Sequence, residues 1–231
     1  MLAEQKIETL IEFLRDTVAE YQPLALASSF SIEDMVLTDV ILSHVPQIEI
    51  FTLDTGRLPG ETYELMQHVR ERYGNVVRVY TPATASLEAF VNEHGPNAFY
   101  HSVELRKRCC QIRKLEPLAR ALAGKAGWIT GLRREQSVTR QGIEAREWDG
   151  LHGIYKFNPL LDWSEQDVWA YIRRFEVPYN KLHEQGYPSI GCAPCTRAVS
   201  VGEDIRAGRW WWENPESKEC GLHAAKLVNK D

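Results

Sequence analysis

The chain has 231 residues, 44% of them hydrophobic and 10% aromatic, and a formal net charge of −5. That length fits one large α/β domain or a domain with a tail. The apolar share excludes long disorder, and the acidic balance argues against a general nucleic-acid binder. No stretch is apolar enough for a membrane helix, and Glu4, Glu8, Glu12 and Asp16 interrupt any secretory core, so the expected setting is the cytosol, with no membrane or nucleic-acid partner.

Residues 4–20 carry Ile7, Leu10, Ile11, Leu14 and Val18 at helical spacing, and Pro23 stops that helix. Residues 24–27 form a short buried strand that runs into Ser28, Ser29, Phe30 and Ser31. Ser31, with Asp34 three residues on, caps the next helix. Residues 48–53 are a strand, 54–56 a turn and 60–73 a helix. Residues 76–80 are a third strand and 84–93 a further helix. A basic helix covers about 102–122, and residues 128–130 are a strand ending at Gly131. The pattern then loosens until Ser164 and Asp167 cap a helix over 165–175; glycine and proline dominate 186–194. Strands alternating with helices predict an α/β fold, a mostly parallel sheet with helices on both faces. Ligands in such sheets gather beyond the carboxyl ends of the strands, where the loops at Ser28, Asp54 and Gly131 all lie.

Five cysteines in a reducing compartment do not read as disulfides. Four form two pairs, Cys109-Cys110 and Cys192-Ala193-Pro194-Cys195. Four thiolates suit zinc or a 4Fe–4S cluster. An adjacent pair fits the spaced knuckles of structural zinc poorly and can aim both sulfurs at one centre only with local distortion. Buried inert cysteines are the bland alternative. Arg106, Lys107, Arg108, Arg113 and Lys114 surround the first pair, and Lys114 follows Cys110 by four residues, on the same helix face. Such cations would offset a cluster's net negative charge and could hold an anion, although charge runs are usually solvated faces. Cys220 is left over, with Lys218 before it and His223 after it. A lone cysteine is more often passive than catalytic, but cationic neighbours enrich a thiolate, and here the two readings are about even.

Two loops suit anions. The serines from Ser28 to Ser31 end a strand and open a helix, where hydroxyls and backbone N–H groups can cradle a phosphate or sulfate; an ordinary capped helix start explains them equally well. Gly131, Arg133, Arg134 and Arg140 form a second strand-end loop. Arg206 and Arg209, one helical turn apart, could clamp one anion. Each arginine taken singly is ordinary surface charge; their accumulation at strand ends is the signal.

Together, residues 28–34, 53–57, the cysteine pairs, 131–140, 206–210 and 219–223 resemble the bacterial assimilatory sulfonucleotide reductases over nearly the whole chain. The resemblance implies an adenine-nucleotide α-hydrolase-like, PP-loop-type fold. It divides the chain into a nucleotide-binding domain over 1–209 with a 4Fe–4S site, and a flexible catalytic tail over 210–231. Both cysteine pairs mark the kind that acts on adenylyl sulfate (APS), with the 3′-phosphorylated nucleotide as the runner-up substrate and a zinc-stabilised nucleotide-binding module as the non-enzymatic rival. By the resemblance, Ser28, Ser29, Phe30 and Ser31 contact the nucleotide, and Gly131, Arg133 and Arg140 are candidates to bind substrate, with which of Arg133, Arg134 and Arg140 touches it left open. Leu53 and Thr55 lie by the adenosine. Lys114, Arg206 and Arg209 meet the phosphosulfate. Cys109, Cys110, Cys192 and Cys195 hold one [4Fe–4S] cluster. Cys220, with Lys114 and His223 assisting, is the nucleophile, and thioredoxin or glutaredoxin releases sulfite while AMP leaves, in sulfate assimilation toward cysteine. Oligomeric state is left open, a homo-oligomer included.

Overall fold

The structure, a computed structural model, describes residues 4–136 and 142–214. Helix α1 (Glu4–Glu20) leads to β1 (Leu24–Ala27), α2 (Ile32–His44), β2 (Glu49–Leu53), α3 (Gly60–Tyr73), β3 (Val77–Tyr80) and α4 (Thr84–His94). Helix α5 (Val103–Cys110) passes through a π-helical turn at Gln111–Leu115 into α6 (Glu116–Leu122) and then β4 (Gly127–Ile129). Strands β5 (Arg146–Asp149) and β6 (Ile154–Phe157) follow, and α7 (Glu165–Arg174) after them.

The six strands form one sheet in the order β3-β2-β1-β4-β6-β5. Every neighbouring pair is parallel except β5 with β6. The expected mostly parallel α/β sheet is therefore present. Alternation along the strands sorts side chains to two faces. Leu24, Leu26, Ile50 and Ile129 join the large core under α1, α2 and α7, whereas Ala25, Phe51 and Trp128 meet Leu118, Ala121 and Leu122 of α6 on the other face. Helix α2 is buried from Ile32 to Ile41, which is why it shows little amphipathic pattern. Its buried Asp39 accepts hydrogen bonds from the hydroxyls of Tyr73 (2.7 Å) and Tyr171 (2.8 Å).

The sequence pattern misses β5 and β6. Each has only four residues, Arg-Glu-Trp-Asp and Ile-Tyr-Lys-Phe, without a clean apolar alternation, and what stabilises them is tertiary: Trp148 stacks edge-on against Tyr155, and Lys156 pairs with Glu147 at 3.0 Å. The helix expected over 102–122 is interrupted by the π turn directly after Cys110. Trp210 is 1% exposed and Glu213 is buried, so the chain is still packed into the domain there. Among the described residues no helix is long and apolar enough to cross a membrane.

Candidate active site

Strand β1 lies at the sheet's switch point, with β2 on one side and β4 on the other, and a cleft of about 250 Å³ opens beyond the carboxyl ends of these strands. Phe30 turns the chain from β1 into α2 with a positive φ of 61°, a conformation that L-residues rarely adopt. Ser31 caps the helix by accepting from the Asp34 N–H. In return the Asp34 carboxylate accepts from the Ser29 N–H and the Ser29 hydroxyl, both at 2.7 Å. Burial pushes the Asp34 carboxyl up to about 6, against the pull of these Ser29 hydrogen bonds. The loop is thus braced from beneath, and Ser28, Ser29 and Ser31 line the cleft.

The other walls come from far along the chain. Leu53 ends β2 and Thr55 follows it, Lys114 projects from the π turn, and Gly131 follows β4. Ser189, Ile190, Arg206 and Arg209 close the far side. Gly131 has no room for a side chain: a Cβ there would lie 2.5 Å from Asp34 Oδ1 and 2.8 Å from Glu33 Cβ. Arg206 and Arg209 sit in successive turns rather than on a helix, with the Arg209 N–H bonded to the Arg206 carbonyl at 2.9 Å. Both line the cleft, by a different backbone path from the single helical turn that their spacing suggested. Arg209 is tied down by contacts at 3.4 Å to the Ser189 hydroxyl and the Ile190 carbonyl.

Two expected ligand contacts are placed elsewhere. Arg133 is buried in an ion pair with Glu33, at 2.9 Å from Nε and from Nη2, and also reaches Glu135 and the Trp163 carbonyl; it does not line the cleft. The Phe30 side chain is 2% exposed and belongs to the core, so only its backbone shapes the loop. Arg134 likewise pairs with Asp162 at 2.8 Å, away from the cleft. Arg140, Cys220 and His223 lie outside the described residues.

A second, smaller cavity is lined by Cys109, Cys110, Cys192 and Cys195 together, with Arg57, Phe99, Arg106, Arg113, Lys114, Pro194 and Trp210. Two sulfur pairs distant in sequence do meet. Cys195 is pushed up to about 12 by burial and by the neighbouring Cys192, with Lys114 and Arg209 pulling the other way. Burial also raises Cys109, opposed by Arg113. Thr55 Oγ1 lies 3.2 Å from Cys192 Sγ. Two N–H donors in the wall, Arg113 Nε and Trp210 Nε1, are buried without a hydrogen-bond partner among the described residues, an unfavourable state unless an acceptor occupies the cavity. Among the described residues no three cysteine, histidine or carboxylate groups converge to hold a single metal ion. Of the basic residues flanking the first pair, Arg106, Arg113 and Lys114 face the cavity, while Lys107 and Arg108 do not line it. Arg57, Phe99 and Trp210 were not singled out from sequence for this cavity; Trp210, in a run of three tryptophans, was the available signal.

The two cavities share a wall: Lys114, Cys192 and Trp210 line both. A strap holds it, in which Thr196 pairs with Arg209 and the Trp210 N–H donates to the Cys195 carbonyl at 3.2 Å.

Residues 23–198 match the family described as the phosphoadenosine phosphosulfate reductase domain. The chain belongs to that family. It is 58% identical to an adenosine 5′-phosphosulfate reductase of Allochromatium vinosum, over 94% of this chain and 85% of the relative. It is 55% identical to another of the same name from Burkholderia cepacia, over 96% and 89%. Among solved structures, the phosphate complex of a phosphoadenylyl-sulfate reductase from Candida auris superposes with a TM-score of 0.71 at 29% identity, covering 86% of this chain and 98% of that one. An FMN adenylyltransferase of Candida glabrata, at 13% identity and a TM-score of 0.60 over 94% and 76%, shares the fold. The family match begins at the residue before β1 and takes in both cysteine pairs and the strand-end loops, but ends before Arg206, Arg209 and Trp210.

Proposed function

We propose that the protein reduces adenylyl sulfate to sulfite and AMP, using Cys220 as the nucleophile and thioredoxin or glutaredoxin as the electron source, in the assimilation of sulfate. The observation that carries this reading is the shared wall of Lys114, Cys192 and Trp210 between a nucleotide-sized cleft and a four-cysteine cavity. The names of relatives more than half identical to the chain support the substrate.

In this reading the adenosine lies against Leu53 and Thr55, and the phosphosulfate is met by the serine loop, the α2 N-terminus, Lys114, Arg206 and Arg209. The Cys220 thiolate attacks the sulfate sulfur. An S–S bond forms, the S–O bond to the phosphate breaks, and its electron pair departs on AMP. Lys114 and the arginines stabilise the charge developing on the leaving oxygen. Sulfur is now held as S-sulfocysteine. A thiolate of the reductant attacks Cys220 Sγ and expels sulfite, and the reductant's second thiol resolves the mixed disulfide; the dithiol has then supplied two electrons. This chain cannot supply them itself, since the other four cysteines line the second cavity.

Cys109, Cys110, Cys192 and Cys195 would hold a [4Fe–4S] cluster, which supplies a fixed local charge and a cross-link between α5 and the 192–195 loop. The donor set fits such a group: four thiols, four nearby cations (Arg57, Arg106, Arg113 and Lys114) and two orphaned N–H donors that could meet sulfur acceptors. Intact-mass analysis after mixing with APS tests the function. Wild type should gain a sulfonate that Cys220→Ser lacks; an unmodified wild type overturns the reading. Competition between APS and its 3′-phosphorylated form at equal concentration decides the preferred nucleotide.

A further inference from the structure

The far wall of the cleft is built on a glycine. Gly191 stands directly before Cys192, and the Arg209 guanidinium lies against its backbone. A Cβ on Gly191 would fall 2.6 Å from Arg209 Cζ, closer still to Nη2, and 3.0 Å from Nη1. Many glycines serve a backbone conformation that other residues avoid. Gly191 is not one of the described glycines with positive φ, so its φ makes no demand for glycine, and the missing side chain is what the site uses. The same loop holds the arginine: Nη1 has its contacts with Ser189 and Ile190 there, and Cζ lies 4.7 Å from the Trp210 ring. The loop is itself pinned. The Gly191 N–H donates to Thr196 Oγ1 at 3.1 Å, and that hydroxyl donates to the Cys192 carbonyl at 2.9 Å, while Thr196 pairs with Arg209 across the β-bridge. Gly191 and Arg209 are thus tied to one threonine. Their backbones cannot easily draw apart to admit a methyl group, so the guanidinium is what would give way.

We propose that Gly191 is a positioning residue: its bare backbone is the bed on which the Arg209 guanidinium lies, and it sets the direction in which that cation meets the anionic end of a nucleotide. A guanidinium is a planar, rigid fork of donors, so its contact with an oxyanion depends on tilt as well as distance. Ala, Ser or any larger residue at position 191 would displace the fork while leaving its charge nearby. The inference rests on the reading of the cleft as an adenylyl-sulfate site and deepens it. Gly191 also lines the cleft, so a methyl group there could act on a ligand directly, and the test must separate that effect from one carried by Arg209.

The test is a double-mutant cycle on equilibrium affinity for two unreactive ligands: ADP, whose second phosphate stands where adenylyl sulfate carries its sulfate, and adenosine, which carries no anion. Gly191→Ala should weaken ADP binding about tenfold to a hundredfold, the worth of a hydrogen bond to a charged group, with adenosine affinity and iron content unchanged. Arg209→Ala should weaken ADP binding at least as much, and adding Gly191→Ala to it should cost nothing further. Unchanged ADP affinity in Gly191→Ala, where Arg209→Ala weakens it, overturns the positioning role alone. No loss in Arg209→Ala overturns it together with the reading of that wall as an anion site. Equal losses for ADP and adenosine, or losses that add in the double variant, also overturn it, because the methyl group would then obstruct the ligand or the fold directly. If Gly191→Ala does not fold, the double variant decides: folding restored once the guanidinium is gone supports the direct packing, and no recovery overturns it.

Discussion

Replacing Arg133 by methionine separates two roles that an arginine in a strand-end loop could play. Its guanidinium and the Glu33 carboxylate are 5% and 6% exposed, and two nitrogens of Arg133 lie 2.9 Å from the same Glu33 oxygen. Arg133→Met leaves that carboxylate buried without its counter-charge, a change that costs roughly 3–5 kcal/mol. For a chain of this size each kcal/mol lowers the melting temperature by about 2–4 °C, so the variant should melt roughly 6–20 °C below wild type. Glu33 also lines the cleft, so the uncovered charge should weaken AMP binding as well. Glu33→Gln combined with Arg133→Met removes both charges. It should recover most of the stability and most of the AMP affinity, giving a coupling energy far from additive. Calorimetric melting and AMP titration of the three variants complete the cycle. A single variant that melts like wild type yet binds AMP poorly would refute the reasoning, because Arg133 would then be reading the ligand directly.

Gly131→Ala should both destabilise the fold, by about 1–3 kcal/mol in urea titration, and weaken AMP binding, because the new Cβ falls 2.5 Å from Asp34 Oδ1 and must push the α2 N-terminus outward. Asp34 predicts a pH effect. Its carboxyl stands at about 6 in the fold against 3.8 unfolded, so the folded state binds more protons between these values and its stability falls as pH rises through that window, by on the order of 3 kcal/mol. Asp34→Asn should remove that slope from stability measured between pH 4 and 7, and an unchanged slope would assign it to other groups. Cys109→Ser and Cys192→Ser, one from each pair, should each lower iron and acid-labile sulfide in anaerobically purified protein, since both sulfurs line one cavity. Iron lost from one variant and retained in the other would break the link between the pairs.

The sequence by itself determined the sheet's class, the capped helix starts at Ser31 and Ser164, and part of the lining of the two cavities: the serine loop, Lys114, Arg206, Arg209 and the four paired cysteines. It could do so because strand alternation, side-chain capping and paired cysteines are local signals, read within a few residues. The capping box at Ser164, with Asp167 bonded back to it, is such a case. What the fold alone decided is which of several chemically equivalent charges is free to act. Arg133 and Arg206 look alike in sequence, yet one is neutralised by Glu33, a hundred residues away, and the other faces the cleft. Strands β5 and β6 escaped for the same reason, since aromatic packing and an ion pair across the two strands, rather than alternation within either, hold them. The buried pair of Arg106 with Glu213 likewise joins residues 107 apart. Pairings at such separations depend on where the chain returns in space, which no local pattern of residues encodes.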